Sequence, residues 1–214
     1  MKYPKTGSQD YDFILDPDPQ TITVQYLDQD EKGEDGKPKV LATKTLHGYS
    51  DMTANYSVGD NITKYSEKGY APISDSTNGK PLVFDENDNK DQAQVYTIVL
   101  GNKHDQKTET KTVTRTVHII SPDKTTTQTK NQITFTRTAD VDEVTGQTQH
   151  SGWTNGDNGT FNEVIIHAVA GYTPQSDITE DLEKNSKGQY EIKSFHVDQD
   201  SNDIVVNVTY GADA

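Results

Sequence analysis

The densest group of potential metal ligands lies in one acidic segment, residues 84–91. Side-chain oxygens recur there at short intervals, and the candidate ligands are Asp85, Asn87, Asp88 and Asp91. Ca²⁺ takes several oxygen ligands, and the start of an EF-hand loop shows a similar alternation. The glycine and the distant glutamate of that loop are missing, however, and a lysine interrupts the segment. Two interpretations therefore stay open, a Ca²⁺ site and a solvated turn.

A second group of candidates could bind a ligand without reacting with it. Trp153 is the only tryptophan, and its ring could stack on a sugar, because aromatic side chains combine apolar area with a polar edge. Arg137, one of two arginines, and Tyr172 are the other candidates for ligand contacts. The alternative for Trp153 is that it closes a thin core.

Motifs for catalysis are missing from the sequence. Six histidines are scattered without an HExxH pattern, and there is no GxSxG, P-loop or GxGxxG. Cysteine is absent, which excludes disulfides and cysteine-based metal sites. Carboxylates are too numerous for a count to exclude a glycosidase, but its cleft needs a thicker scaffold than this composition supports. We expect a protein that is not an enzyme and needs no cofactor beyond the Ca²⁺ alternative.

Composition limits both the core and the partners. Only 30% of the 214 residues are hydrophobic, so two slim domains fit better than one thick domain. The net charge of −14 repels nucleic acid and anionic membranes. No run of 18 apolar residues and no apolar leader occurs, so we expect no membrane insertion and an excised part of a longer exported protein.

Alternating apolar residues predict strands in both halves of the chain. In the first half they are 21–27, 40–46, 70–74 and 94–100, the last one apolar on both faces, as in a strand buried on both sides. A short helix is predicted over 62–68, with Asp60 or Asn61 as N-cap and Gly69 after its end. The polar segment 101–111 is interpreted as the domain boundary.

The second half begins with an alternating strand over 112–120, in which Arg115 shares a face with valines. A hairpin then covers 129–153, turning near 140–146 and ending on the tryptophan. Further strands are predicted near 161–170, 190–195 and 204–210, and 178–184 is either a helical turn or an acidic loop.

An internal duplication relates the two halves. The pattern Gly-Tyr-x-Pro occurs at residues 69–72 and again at 171–174, between an opening hairpin and a closing strand in each half. Repeats of this kind suggest an elongated array with few contacts between units. The order of elements predicts an α+β, mainly β protein with two tandem β-grasp subdomains, in which the last strand lies parallel beside the first. The predicted divisions are a lead-in segment 1–19, a first subdomain 20–106 and a second subdomain 107–214.

Several short motifs occur in a fixed order along the chain. In the second half they are 112–117 (TVTRTV), 133–139 (ITFTRTA), 142–146 (DEVTG), 152–153 (GW), 171–174 (GYTP) and 206–210 (VNVTY), and in the first half they are 68–70 (KGY), 83–85 (VFD) and the acidic residues that follow. With these motifs the chain resembles a repeat of the mucus-binding (Mub, MucBP-type) adhesins of lactobacilli. The resemblance covers most of the chain after residue 19.

This resemblance implies that both β-grasp subdomains are ubiquitin-like, and it implies a function as well. It implies an extracellular repeat on the bacterial cell wall, a monomer within a tandem array, that binds mucin glycans and glycoproteins. Some repeats of the family also bind immunoglobulin, for which an exposed sheet edge could accept a strand. Tandem repetition would strengthen weak binding by avidity. The alternative function is a structural stalk or spacer unit with no ligand of its own.

Overall fold

The computed structural model describes residue 7 and residues 16–89, 92–155 and 159–214. The chain divides into two compact units, which we call the first and second unit. The first comprises residues up to 104 together with 142–147, and the second comprises 105–141 and 148–214. The predicted boundary at 106/107 lies close to this division, but the segment 142–147 falls in the first unit. In the described part of the chain, no helix has the length and apolar character needed to cross a membrane.

The first unit is built on a four-stranded sheet with strand order β2-β1-β4-β3. Strands β1 and β2 form an antiparallel hairpin, and β4 pairs with β1 in parallel. The expectation that the last strand lies parallel beside the first is therefore confirmed here. The strands are β1 (Pro19–Lys32), β2 (Pro38–Tyr49), β3 (Tyr70–Asp75) and β4 (Gln94–Asn102).

The core of the first unit lies on one face of this sheet. Ile22 and Val24 are fully buried on β1, as the period of two predicts. They pack with Ile98 and Leu100 of β4. The prediction that β4 is buried on both sides is wrong, because Val95 is 46% exposed. The helix covers only the core face, so an apolar residue on the other face stays in contact with water.

The helix α1 (Val58–Glu67) starts four residues earlier than predicted. Its N-cap is Ser57, whose hydroxyl accepts a hydrogen bond from the Asp60 N–H at 3.0 Å, so the predicted caps Asp60 and Asn61 are wrong. Val58 is buried and anchors the first turn in the core. The end of the helix is as predicted, because Gly69 adopts φ +97° directly after the C-cap.

The polar segment 101–111 contains the division between the two units, which falls after residue 104, and it consists mostly of strand. Strand β4 continues to Asn102, and β5 (His104–Ile120) begins almost at once. Strand β6 (Thr126–Asp142) lies beside β5 in the sheet. Backbone pairing between long neighbouring strands needs no apolar anchor, so the polar residues of this segment can lie in strands.

The second unit contains a sheet with strand order β11-β15-β5-β6-β7, with β8 also paired to β6. The closing strand β15 pairs with β5 in parallel, which repeats the relation between β4 and β1. The remaining strands are β7 (Thr148–His150), β8 (Thr154–Asn155), β9 (Thr160–Phe161), β10 (Val164–Ile165), β11 (Tyr172–Ser176), β12 (Leu182–Lys184), β13 (Tyr190–Ile192), β14 (Phe195–His196) and β15 (Ile204–Ala212).

Short strands take the place of a helix in the second unit. The predicted strand over 161–170 is two strands of two residues each, β9 and β10. The segment over 178–184 is a 3₁₀ turn, Thr179–Asp181, followed by β12. Two clusters of buried apolar residues result: one contains Val117, Ile166 and Val206, and the other contains the residues around Phe161.

The two Gly-Tyr-x-Pro segments occupy corresponding places. Gly69 and Gly171 both have positive φ, and each precedes a strand that pairs antiparallel with the closing strand of its unit. Pro72 lies opposite Leu100, and Pro174 lies opposite Tyr210. The duplication inferred from sequence is therefore reproduced in the pairing of the strands.

Candidate functional site

Charged side chains lie on the core-facing row of the second sheet, next to its buried apolar residues. On β6, Ile133 and Phe135 are buried, and Arg137 follows at the same spacing of two. On β5, Glu109 and Lys111 precede the buried Val113 in the same way. Because alternate residues of a strand share a face, these charged side chains lie on the same face as the buried apolar residues.

Trp153 lies against two of these charged side chains. Its ring centroid is 4.6 Å from the guanidinium carbon of Arg137 and 5.3 Å from Nζ of Lys111. Both distances are within the range of cation–π attraction. Two of the three ligand-contact candidates from the sequence, Trp153 and Arg137, are thus brought together in what we call the Trp153 cluster, whose members are Trp153, Arg137, Lys111, Glu109 and His150.

Glu109 lies between Arg137 and His150 in the cluster. Its Oε2 accepts a hydrogen bond from Nε of Arg137 at 2.6 Å, and its Oε1 lies 3.4 Å from Nε2 of His150. The hydrogen bond from Arg137 is the largest cause that lowers the pKa of the Glu109 carboxyl below its usual range. Lys111 has an acidic neighbour of its own, since its Nζ lies 3.6 Å from Oδ1 of Asp200.

The same tryptophan also contributes to the core. Its side chain is half-buried and packs against the cluster that contains Val113, Ile133 and Phe161. The ring is therefore held from one side by the core and approached by two cations of the protein itself. This arrangement leaves less free ring surface for stacking on a sugar than an isolated exposed tryptophan would offer.

The third candidate, Tyr172, lies elsewhere. It begins β11, which is separated from β6 by β15 and β5 in the sheet. Its side chain is 38% exposed, whereas its counterpart Tyr70 packs edge-on against Tyr65 at 5.7 Å between ring centroids. Tyr70 therefore packs against another ring, while Tyr172 stays a predicted ligand contact that lies apart from the Trp153 cluster.

The acidic segment of the first unit uses several of its oxygens in turns. Oδ1 of Asp85 accepts the Asn87 N–H at 3.3 Å, and Oδ1 of Asp88 accepts Nε2 of Gln20 at 2.8 Å. Asp91, the fourth candidate ligand, lies outside the described residues. Within the described ranges, no group of three or more His, Asp or Glu side chains is arranged to hold a metal ion. Ca²⁺ binding stays a prediction.

Sequence reasoning missed three members of the Trp153 cluster. Glu109 and Lys111 fell within the segment interpreted as the domain boundary, and His150 was counted only as a scattered histidine. The sequence does contain a signal for the first two. They are separated from the buried Val113 and Arg115 by even numbers of residues along β5, so all four side chains lie on the same face of the strand. Extending the strand toward its N-terminus would have placed them on the core-facing row.

Two family models match the chain and together cover it from residue 20 to its last residue. Residues 20–104 match a model described as a mucin binding domain, and residues 104–214 match one described as a Muc B2-like domain. The second match alone covers more than half of the chain. This chain belongs to the mucus-binding repeats. The family resemblance in the sequence is thereby confirmed.

Solved structures of other mucus-binding repeats are similar to this repeat. The crystal structure of Mub-RV is 30% identical, with a TM-score of 0.60, and the match covers 91% of this repeat and 100% of Mub-RV. The type 2 repeat of the mucus binding protein MUB from Lactobacillus reuteri is 26% identical over 91% of this repeat and 100% of that chain, with a TM-score of 0.41. Among curated proteins no match is found.

Proposed function

We propose that this repeat is a non-catalytic adhesin unit that binds mucin glycoproteins on the outer surface of a bacterial cell. The observation that carries the proposal is the match of residues 20–104 to the mucin binding domain model, continued over 104–214 by the Muc B2-like model. The 30% identity with Mub-RV over 91% of the repeat supports it. As in the sequence interpretation, we assign 20–106 and 107–214 to two β-grasp subdomains.

The parallel pairing of the first and last strands supports the β-grasp assignment. In the first unit β1 pairs with β2 on one side and with β4 on the other, and α1 packs on the resulting core. In the second unit β5 lies between β6 and β15, and short strands take the position of the helix. A thin mixed sheet of this kind presents edges and loops, which suits recognition of extended ligands better than enclosure of a substrate.

The Trp153 cluster contributes to mucin binding through its cations. Arg137 is about a quarter exposed and Lys111 about half exposed, so their outer N–H groups can donate to glycan oxygens. The tryptophan ring holds both cations in place and is itself fixed by the core. We therefore expect the cluster to contact a glycan with N–H donors, while stacking on the ring contributes less.

Binding to immobilised mucin by surface plasmon resonance tests the function. We expect the whole repeat to bind and Arg137→Ala to lower the affinity roughly fivefold, about 1 kcal/mol. Lys184→Ala is the matched control, because it removes a positive charge 4.9 Å from the Tyr190 ring, in another cation–π contact of the second unit. Enzymatic removal of the glycans should abolish binding. Equal loss in both variants would indicate a general charge effect and contradict the role of Arg137.

Immunoglobulin binding is the second candidate, and the edge strand β2 favours it. This strand has twelve residues and lies at the edge of the first sheet, and its Val40 side chain is 52% exposed. A partner strand could add to such an edge through backbone hydrogen bonds. Val40→Pro should weaken binding to immobilised immunoglobulin and leave mucin binding unchanged. An equal loss on both surfaces would contradict recognition through this edge.

The stalk alternative makes the opposite prediction for the isolated repeat. A spacer would bind neither mucin nor immunoglobulin, even on a densely coated surface that favours multivalent attachment. Presenting the repeat as a tethered array and measuring retention on mucin separates the two functions. Absence of retention would overturn the adhesin proposal and leave the stalk.

A further inference from the structure

We propose that a cavity in the second unit binds one uncharged sugar ring, a hexose or N-acetylhexosamine residue of a glycan. The proposal rests on the mucin-binding function proposed above and places a sugar site within it. The cavity has a volume of about 420 Å³, within the range of small-molecule sites. It is open to solvent on one side, and its lining does not include any member of the Trp153 cluster.

A buried arginine lies at this cavity. Arg115 is 1% exposed, and its guanidinium donates to the backbone carbonyl oxygens of Lys193, at 3.1 Å, and Asn162. The guanidinium also lies 5.1 Å from the ring centroid of Phe161, so its orientation is fixed from several sides. Its Nε has no hydrogen-bond partner among the described residues. An unpaired donor in a buried position costs free energy, so the hydrogen bonding of this arginine at the cavity is incomplete.

Apolar side chains at the cavity are left exposed to solvent. Phe195 is 44% exposed and Ile178 is 37% exposed, although apolar residues of this size usually lie in a core. Phe195 is held in place by the pairing of β14 with β9, opposite Phe161. Together with Ile204 they provide an apolar wall next to polar groups. A sugar ring has the matching surface, with C–H groups on its faces and hydroxyls around its edge.

The charges at the cavity select an uncharged sugar over an acidic one. Arg115 and Lys193 supply two positive charges, and Asp181 and Asp203 supply two negative charges, so the lining is neutral in sum. The whole chain carries −14, which repels an anion on approach. The carboxylates can accept hydrogen bonds from sugar hydroxyls, and the side-chain amide of Asn202 can both donate and accept hydrogen bonds. An N-acetyl group adds a methyl for the apolar wall and a carbonyl oxygen for an N–H donor.

Titration of the ¹⁵N-labelled repeat with methyl glycosides, followed by ¹H–¹⁵N correlation spectra, tests the site. We expect methyl N-acetylglucosaminide or methyl N-acetylgalactosaminide to shift the backbone amides of Ser201, Asn202 and Lys193 in a saturable way. Phe195→Ala and Asn202→Ala should each weaken this binding at least fivefold. Val205→Ala is the control, because Val205 is 51% exposed on β15 and does not line the cavity. The spectrum of each variant without ligand reports whether it is folded.

Mucin binding is measured in parallel, so that the two proposals can fail separately. Mucin binding without any sugar-induced shift at the cavity overturns the sugar site and leaves the adhesin function. Saturable shifts at the cavity without mucin binding support the sugar site and overturn the adhesin function. If the methyl glycoside of N-acetylneuraminic acid binds the cavity more tightly than the uncharged glycosides, the assignment to an uncharged sugar is wrong.

Discussion

The guanidinium carbon of Arg137 lies 4.6 Å from the ring centroid of Trp153, while Nε of the same arginine donates to Glu109. One cation is thus shared between an aromatic ring and a carboxylate. The ring in turn packs against the core of the second unit. The contact therefore couples a solvent-accessible polar group to the packing of the core.

Removal of Arg137 should be visible in the fluorescence of Trp153, because the chain has no other tryptophan. We expect Arg137→Ala to move the emission to longer wavelength, since water replaces the guanidinium over the ring. The lost cation–π contact should also lower the free energy of unfolding by about 0.5–1 kcal/mol. Lys184→Ala removes a cation from Tyr190 and should leave the emission maximum unchanged. An unchanged emission spectrum in Arg137→Ala would contradict the contact.

The duplicated glycines offer a second prediction. Gly69 and Gly171 have φ of +97° and +78°, a conformation that costs other residues about 1–2 kcal/mol. A Cβ at position 69 would lie 2.6 Å from the backbone carbonyl of Glu143, which belongs to the same unit, whereas no atom of the described residues lies within 4 Å of a Cβ at position 171. Gly171→Ala should therefore lower the thermal midpoint modestly, and Gly69→Ala should lower it more.

Comparison with asparagine separates the two causes. Asn tolerates the left-handed conformation better than Ala, so Gly171→Asn should cost less than Gly171→Ala. Gly69→Asn should remain as destabilising as Gly69→Ala, because the clash with the backbone persists. Equal midpoints for Gly69→Ala and Gly171→Ala, measured by differential scanning calorimetry, would contradict the close approach to Glu143.

Much of the sheet could be predicted from the sequence, because alternation of apolar residues encodes the buried face of a strand. The alternation on β5 predicted that Arg115 shares a face with valines, and the structure confirms this. The predicted parallel pairing of the first and last strands is found in both units. The long polar part of β5 could not be predicted in this way, since backbone pairing holds it without an apolar side chain. The start of α1 was missed because Ser57 and Gly59 do not resemble a helical pattern.

The candidate site was predictable in its residue types and not in its contacts. Trp153 and Arg137 stand out because each type is rare in this chain, but periodicity does not say that a ring and a cation meet across β6 and the segment after β7. The cavity beside Arg115 is assembled from β5, the 3₁₀ turn and the start of β15. These elements are far apart in sequence, so only the folded arrangement brings their side chains together.

The pH dependence of stability should include a contribution from Asp177. The pKa of this carboxyl is lowered below its ordinary value of 3.8 by hydrogen bonds from Asn207. The largest effect comes from the Asn207 side-chain amide at 2.7 Å, and the next from the Asn207 backbone N–H at 2.8 Å. A lowered pKa in the folded state stabilises the fold above the ordinary pKa, and this contribution is lost as the pH falls through the folded-state pKa. Asp177→Ala should lower the midpoint by roughly 2–4 °C at pH 7.

The difference in midpoint between the wild type and Asp177→Ala should be constant above about pH 5 and shrink below pH 4. Asn207→Ala removes the side-chain donor and keeps the backbone donor, so its own difference from the wild type should also shrink in acid. Thermal melts followed by circular dichroism between pH 7 and pH 2.5 measure both. A difference that is independent of pH would show that Asp177 does not act through its charge.

Replacement of Arg115 should destabilise the second unit more than any change in the Trp153 cluster. Burial lowers the pKa of its guanidinium, which reflects the cost of keeping a charge away from water. Its bonds to the Asn162 and Lys193 carbonyls offset this cost, and Arg115→Met would leave both carbonyls without a donor. We expect a loss of about 3 kcal/mol, or a midpoint lower by roughly 6–12 °C.

Arg115→Lys distinguishes hydrogen bonding from charge. An ammonium group retains the charge but cannot place donors in the positions of the two guanidinium nitrogens that bind separate carbonyls. The stability of Arg115→Lys should therefore lie between that of Arg115→Met and that of the wild type. Thermal unfolding of both variants, with Arg137→Ala as a less buried arginine for comparison, measures the effect. A midpoint of Arg115→Met equal to or above that of the wild type would mean that an apolar side chain satisfies the position better, and that the two backbone contacts contribute little to stability.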